Sequence, residues 1–175
     1  MKRKGREQAE AAAARLQEIC RALKAALTAA QRAGLLDQWL IVSRGDSTLR
    51  GHFPLERDVI GAELGPFDAT FLAPAFLPGG RTTVGGVHLL HGEPVHTTAF
   101  ARDRLFGYGT SDLAAWVEQK SGGRIPAAAV QGITLAELEA GGEGLRQRLA
   151  GRITANAVQD TGNARVHGTG WQTLA

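Results

Sequence analysis

The sequence predicts an α/β fold with a largely parallel sheet, flanked by helices and carrying a β-hairpin insertion. Three observations predict it. Short apolar runs at residues 39–42, 69–73 and 127–130 are typical of buried strands. Stretches of helical pattern alternate with these runs, as they do in units of strand, helix and strand. Two extended runs, 87–90 and 94–97, flank the turn 91–93 and predict the hairpin.

The first predicted helix covers residues 5–33, which are rich in Ala, Leu, Arg, Gln and Glu, all good helix formers. An apolar stripe with steps of three and four residues runs along it: Leu16, Ile19, Leu23, Leu27 and Ala30. Gly34 is a plausible end of this helix. Cys20 lies beside the stripe, and we interpret it as a small buried apolar residue.

Three further helices are predicted. One covers 54–64, with a proline in its first turn. Another covers 112–119, with Ser111 as its N-cap and with Leu113, Trp116 and Val117 on its inner face. The last opens with a Thr134–Glu137 capping box and runs to about residue 149. Residues 78–83 predict a tight loop.

The predicted organisation has three parts. Residues 1–38 are an N-terminal helix with a basic start, 39–160 form the folded domain, and 161–175 are a disordered tail because Gly, Thr, Asn and Gln replace any apolar period. A length of 175 residues fits one domain, and 43% hydrophobic with 21% charged residues excludes a disordered protein.

The charge and cysteine content exclude further classes. The net charge of +3 comes from four basic residues in the first six positions; the rest carries 16 basic against 17 acidic residues, so no nucleic-acid partner is expected. A single cysteine excludes an intrachain disulfide. No uncharged run approaches the length of a membrane span and no secretory signal follows the basic start, so we expect a soluble cytoplasmic protein without a membrane partner.

The polar segment 43–52 is the first candidate site, because ligands of open α/β sheets bind beyond the carboxyl ends of strands. Arg44 and Arg50 offer two-donor forks for a carboxylate or phosphate. Asp46 can accept from sugar hydroxyls, and Ser47 and Thr48 can donate or accept. The alternative is an ordinary turn in which Asp46 and Ser47 cap the next helix.

Residues 46–51, Asp-Ser-Thr-Leu-Arg-Gly, resemble the signature of the four-carbon acid sugar kinase family. Four further blocks follow in that family's order: Pro-Ala-Phe at 74–76 with Gly-Arg-Thr-Thr at 80–83, Gly-Val-His at 86–88, Gly-Glu-Pro-Val-His at 92–96, and Phe-Ala-Arg-Asp at 100–103. The resemblance is good over about 39–120 and weaker to about 160. It implies the N-terminal substrate-binding domain of an ATP-dependent kinase that phosphorylates threonate, erythronate or an oxo-tetronate.

The same resemblance implies substrate contacts at Asp46, Ser47, Thr48 and Arg50. Arg81 and Arg44 are further candidates; many members have a lysine near the position of Arg44. The family implies ATP and Mg²⁺, bound mainly by a C-terminal nucleotide-binding domain that this sequence lacks, as it lacks the family's opening Asp-Asp-Leu-Thr-Gly segment. No Walker-type Gly-x-x-x-x-Gly-Lys-Thr run occurs and no catalytic base can be assigned. We therefore expect a truncated member, inactive alone, that needs a separate chain or acts as a homo-oligomer.

Three other interpretations stay open. The chain could be a non-catalytic module that binds a sugar acid or a partner. Gly45-Asp46-Ser47 also resembles the first block of the Gly-Asp-Ser esterases, with Ser47 as nucleophile, although the Asp-x-x-His pair that such an enzyme needs is missing. His88, His91 and His96 suggest a metal, but a hairpin's alternation sends the first two to opposite faces, so we expect ordinary hairpin histidines and no metal site.

Overall fold

The computed structural model describes residues 2–67, 69–140, 152–156 and 170–174. The helices of these residues are α1 (Lys2–Arg32), α2 (Leu55–Leu64), α3 (Leu113–Lys120) and α4 (Leu135–Ala140). The strands are β1 (Ile41–Ser43), β2 (Ala69–Ala73), β3 (Arg81–Val84), β4 (Val87–Leu90), β5 (Glu93–Pro94), β6 (Val130–Ile133), β7 (Arg152–Asn156) and β8 (Gly170–Leu174). Helices and strands are thus mixed, and none of the described helices has an apolar stretch long enough to cross a bilayer.

The larger sheet of the described residues is mixed rather than largely parallel. Its strand order is β1-β8-β2-β7-β6. Strand β7 pairs in parallel with β2 and β6, whereas β8 pairs antiparallel with β1 and β2. The predicted parallel sheet is therefore wrong at β8, which lies between β1 and β2. Residues Gly170–Leu174 of the predicted tail form β8, which pairs with both neighbours in this sheet, and the division of the chain into three parts stays a prediction.

The first strand is less buried than its apolar run predicts. Strand β1 lies at an edge of the sheet, and Leu40 and Val42 remain 50% and 45% exposed. Ile41 packs with Trp39 against the cluster between α1 and α2, so only one face of this strand is covered. Strand β2, in the interior, is buried as predicted.

A smaller antiparallel sheet of the order β3-β4-β5 confirms the predicted hairpin insertion. It has one strand more than predicted on its N-terminal side, because residues 81–84 of the expected loop region pair with 87–90. On its other side the pairing ends at Pro94, and Val95–Thr97 form a 3₁₀ turn instead of a strand. A proline cannot donate to the ladder, which accounts for the early end.

The predicted helices are confirmed with shifted details. Helix α1 ends at Arg32, and Gly34 stops it as predicted: the φ of Gly34 is +67° and the Leu35 amide donates to the Ala30 carbonyl, as in a glycine C-cap. The cap of α3 is Asp112, which accepts from the Ala115 amide, and not Ser111. The capping box at α4 is present, with Thr134 and Glu137 bonded reciprocally; its predicted extension beyond residue 140 lies outside the described residues.

Two apolar clusters hold these elements together. The cluster that we call the loop core includes Leu49, Leu72, Tyr108, Leu113 and Trp116. The cluster that we call the helix core lies between α1 and α2 and consists of Cys20, Val59, Ile60 and Leu64. Cys20 is 3% exposed, which confirms its interpretation as a buried apolar residue, and this burial raises the pKa of its thiol.

Candidate functional site

The polar segment after β1 folds into a turn whose side chains bond to one another. The Asp46 carboxylate accepts from the Thr48 amide at 3.0 Å, from the Thr48 hydroxyl at 2.6 Å and from Arg50 Nε at 2.5 Å. The Leu49 amide donates to the Asp46 carbonyl, and Leu49 has a φ of +65°, which is uncommon for a residue other than glycine. We call residues 46–50 the signature loop.

Two buried side chains from distant parts of the sequence bond to this loop from the protein interior. His88 Nε2 lies 2.7 Å from the Ser47 carbonyl oxygen, and His88 Nδ1 lies 3.0 Å from the Thr83 hydroxyl. The Tyr108 hydroxyl donates to the Thr48 carbonyl at 2.5 Å. Two successive peptide groups of the loop are therefore bonded to the protein interior.

The electrostatics follow from this packing. Burial raises the pKa of the Asp46 carboxyl, but hydrogen bonds from Thr48 and Arg50 outweigh it and hold that pKa below its usual value. Burial lowers the pKa of His88, and the nearby Arg81 acts in the same direction, so His88 is neutral at pH 7. Burial, together with the Asp46 charge, raises the pKa of Tyr108 to about 12.

Two arginines face the same aromatic ring. The guanidinium carbon of Arg50 lies 5.0 Å from the centroid of the Phe100 ring, and that of Arg81 lies 5.9 Å from it. Arg81 also lies 5.6 Å from the Phe76 centroid. A Cβ at Gly79 would collide with the Arg81 guanidinium and with the Phe76 ring, so glycine there leaves room for the contact between them.

The charges of these arginines are unequally balanced. Arg50 is paired with Asp46 through its Nε, while its terminal nitrogens have no partner among the described residues. Arg81 has no carboxylate partner in the described part of the chain, and its Nε is buried without a hydrogen bond there. The group formed by Arg50, Arg81 and Asp46 thus carries one excess positive charge, and its N–H groups suit an anion with hydrogen-bond acceptors.

A cleft of about 310 Å³ opens at this loop. Leu49, Leu72 and Trp116 form its apolar floor, and Asp46 and Arg50 lie at its polar side. Pro74, which follows the carboxyl end of β2, is part of its wall, so the cleft lies beyond the ends of β1 and β2, where the sequence analysis expects a ligand. Gly51 adopts a φ of +134°, so the chain can turn at the cleft without strain.

The structure brings together part of the predicted residues. Asp46 and Arg50 line the cleft, and Arg81 joins Arg50 at the Phe100 ring. Thr48 is 1% exposed and its hydroxyl is engaged within the loop. Ser47 is half-buried beside them, and Arg44 is exposed and does not line the cleft.

Three residues of the site were not predicted: Phe100, His88 and Tyr108. Phe100 and His88 lie in sequence blocks that carry the family resemblance, so the resemblance could have identified them. Tyr108 is the sole tyrosine of the chain and lies in none of the blocks, so the sequence held no signal for it.

The contacts of the histidines bear on the metal-site and esterase interpretations. Among the described residues no group of three His, Cys, Asp or Glu side chains could hold a metal ion. His96 bonds to Ser111 through its backbone amide and Nδ1, while His91 lies in the turn after β4 with a φ of +51°. His88 contacts the carbonyl of Ser47 and not its hydroxyl, so no described histidine is placed to activate Ser47 as an esterase nucleophile.

ATP and Mg²⁺ do not fit the described residues. The sequence has no Walker-type glycine loop that would hold phosphates, and the described residues have no carboxylate cluster for a metal. No step of phosphoryl transfer is therefore assigned to the side chains of the signature loop.

A cleft beyond the strand ends, with a pair of arginines beside it, is an arrangement that suits a small anionic ligand. A family model described as a sugar-binding N-terminal domain matches residues 5–167. The chain belongs to that family, the N-terminal domain of four-carbon acid sugar kinases. The match starts within α1, earlier than the motif blocks.

Known proteins agree with this assignment. The chain is 38% identical over 104 residues to a D-erythronate kinase from Heliobacterium modesticaldum, covering 58% of this chain and 24% of the kinase. It thus spans about a quarter of that relative's length.

Solved structures show the same fold. A domain of unknown function from Bordetella bronchiseptica, solved with bound citrate as a domain-swapped dimer, has a TM-score of 0.56 and 24% identity over 85% of this chain and 33% of its own. A protein of that domain type from Haemophilus influenzae has a TM-score of 0.52 and 16% identity over 65% of this chain and 29% of its own.

Proposed function

We propose that this chain is the substrate-binding part of an ATP-dependent kinase for four-carbon sugar acids of the threonate, erythronate or oxo-tetronate type. The observation that carries the proposal is the pair of guanidinium groups at Phe100. Only Arg50 has a carboxylate partner among the described residues, so the pair retains a positive charge that one substrate carboxylate would balance.

The polar groups beside the arginines support a hydroxylated ligand. Asp46 has a low pKa and is ionised at pH 7, so it can accept from substrate hydroxyls. Ser47 can donate or accept. Arg50 and Arg81 would bind the carboxylate, and Thr48 would act by holding Asp46 and Arg50 in place. Arg44 remains a candidate for the outer edge of the site.

ATP and Mg²⁺ would be held by a nucleotide-binding domain or a separate chain, since the described residues do not fit them. The Bordetella structure is a domain-swapped dimer, which supports a homo-oligomer as the alternative assembly. We place the protein in the cytoplasm, where ATP is available, and expect it to transfer no phosphate by itself.

Calorimetric titration of the purified chain with D-erythronate, threonate and citrate tests the proposal. We expect binding of a sugar acid, and Arg50→Ala should weaken it about 10- to 100-fold because a charge-assisted hydrogen bond is lost. Arg21→Ala is the matched control, since Arg21 pairs with Glu63 on the far side of α2. Unchanged affinity in Arg50→Ala would remove Arg50 from the site.

An assay with ATP, Mg²⁺ and threonate separates the two remaining functions. Phosphate transfer by this chain alone would overturn its role as a binding part only. Binding without transfer, also after addition of the nucleotide-binding half of the D-erythronate kinase, would favour a non-catalytic sugar-acid module.

A further inference from the structure

His88 is fully buried, yet it makes both of its hydrogen bonds to polar groups of other segments. A buried histidine inside an apolar core costs free energy unless it is bonded. Here one nitrogen contacts the Ser47 carbonyl, 41 residues away in sequence, and the other contacts Thr83 on β3. The side chain thus connects the smaller sheet to the signature loop.

The chemistry of the partners defines the tautomer of this histidine. A carbonyl oxygen accepts only, so Nε2 carries the hydrogen and donates to Ser47. In neutral imidazole Nδ1 is then the acceptor, and the Thr83 hydroxyl donates to it. The Ser47 carbonyl therefore requires the hydrogen on Nε2, and the Thr83 hydroxyl bonds the other nitrogen and orients the ring.

The loop needs such support because its backbone is strained. Leu49 has a φ of +65°, and its side chain is 3% exposed within the loop core. A left-handed conformation in a residue with a side chain persists only where surrounding contacts over-determine it. His88 and Tyr108 supply these contacts at the peptide groups directly before Leu49.

We propose that His88 is a positioning residue that sets the backbone of the signature loop, so that Arg50 is presented to the ligand. His88 does not touch the cleft and acts through the Ser47 carbonyl. The link to ligand affinity rests on the proposed function, whereas the link to loop geometry does not. Thr83 acts through the same path, one contact further away.

The test compares four variants of the full chain. His88→Leu removes the donor, and His88→Gln places an amide N–H near the position of Nε2. Thr83→Val removes the hydroxyl that bonds Nδ1 and orients the ring. Ser111→Ala is the control for destabilisation alone, since it deletes a buried hydroxyl that bonds to His96 and not to the loop.

Two measurements are made on each variant, below its unfolding temperature. Calorimetric titration with D-erythronate should show a loss of about 10-fold or more in His88→Leu, because a buried carbonyl loses its partner. A smaller loss is expected in Thr83→Val, and partial recovery in His88→Gln. Ser111→Ala should bind like the wild type although it melts at a lower temperature.

The second readout is the amide NMR signals of residues 46–50 without ligand. They should shift in His88→Leu, return towards wild type in His88→Gln and stay in place in Ser111→Ala. Unshifted loop signals or wild-type affinity in His88→Leu would overturn the proposal. If His88→Leu does not fold, the loop signals and affinities of Thr83→Val and His88→Gln decide whether His88 positions the loop.

An incorrect substrate assignment would give a different result from an incorrect role of His88. If the wild type binds neither D-erythronate, threonate nor citrate, the substrate assignment is wrong. The loop signals then still decide whether His88 positions the loop.

Discussion

The loop core and the helix core differ in what they support. The loop core contains Leu49 of the signature loop and Trp116 of the cleft floor, so it is continuous with the candidate site. The helix core joins α1 to α2, and none of its four buried residues lines the cleft, although Leu16 and Leu55, which pack against it, do. The buried residues of the loop core therefore support both stability and the cleft, whereas those of the helix core support stability.

Trp116→Ala should have the largest effect. Trp116 is 2% exposed and stacks on Phe53 with ring centroids 4.8 Å apart. Its removal leaves a cavity that should lower the free energy of unfolding by about 3–5 kcal/mol and abolish sugar-acid binding, because Leu49 loses its support. Urea unfolding and calorimetry measure the two effects. If Trp116→Ala kept its affinity for the sugar acid, the site would not depend on the loop core.

Ile60→Ala is the counterpart in the helix core. Ile60 is 5% exposed and packs with Cys20 and Leu64. We expect a loss of about 2–4 kcal/mol in the free energy of unfolding. Affinity should stay within about twofold of the wild type, since the site has no contact with this residue. A loss of affinity comparable to that of Trp116→Ala, in protein that is still folded, would contradict the independence of the two cores.

Tyr108 gives an alkaline test of the contact between loop and core. Its pKa of about 12 lies above the value of about 10 in the unfolded chain, so the unfolded state releases the proton first. The stability from the neutral hydroxyl is complete below pH 10 and is lost as the pH rises towards 12. Since the chain has one tyrosine, its ultraviolet absorbance should titrate with a midpoint near 12 in the folded protein.

Tyr108→Phe is the matched variant, and removal of its hydrogen bond should cost about 1 kcal/mol at pH 7. The difference in stability from the wild type should shrink as the pH rises above 10. A tyrosine that titrates near 10 in the folded chain would mean that its hydroxyl is not held by the loop.

Asp46→Asn should have the smallest effect on stability, and this effect should decrease at acid pH. The folded pKa of Asp46 is depressed below 3.8, so its ionised form contributes stability that is present above this value and lost as the pH falls through the folded pKa. Asp46→Asn should lower the melting temperature at pH 7 and approach the wild type at the lowest pH. Asp37→Asn, at an exposed position, serves as the control for the loss of one carboxylate.

Local patterns predicted much of the fold. The helix α1, the Thr134–Glu137 box and the inner face of α3 concern residues close in sequence, where geometry follows from propensity and periodicity. The predicted stripe of α1 is only partly buried, because Ile19 and Leu23 remain exposed. Strand direction and order could not be predicted in this way. They depend on pairing between distant segments, as β8 between β1 and β2 illustrates.

For the candidate site, the amino-acid sequence alone predicted which side chains to consider. Asp46, Arg50 and Arg81 were predicted from residue chemistry and motif resemblance, because guanidinium groups suit a carboxylate wherever they lie in the sequence. Only the tertiary structure decided that Arg50 and Arg81 share the Phe100 ring, and that His88 and Tyr108 bond to the loop from below. The physical reason is that these contacts join segments tens of residues apart, and their geometry exists only after both sheets have packed around the loop core.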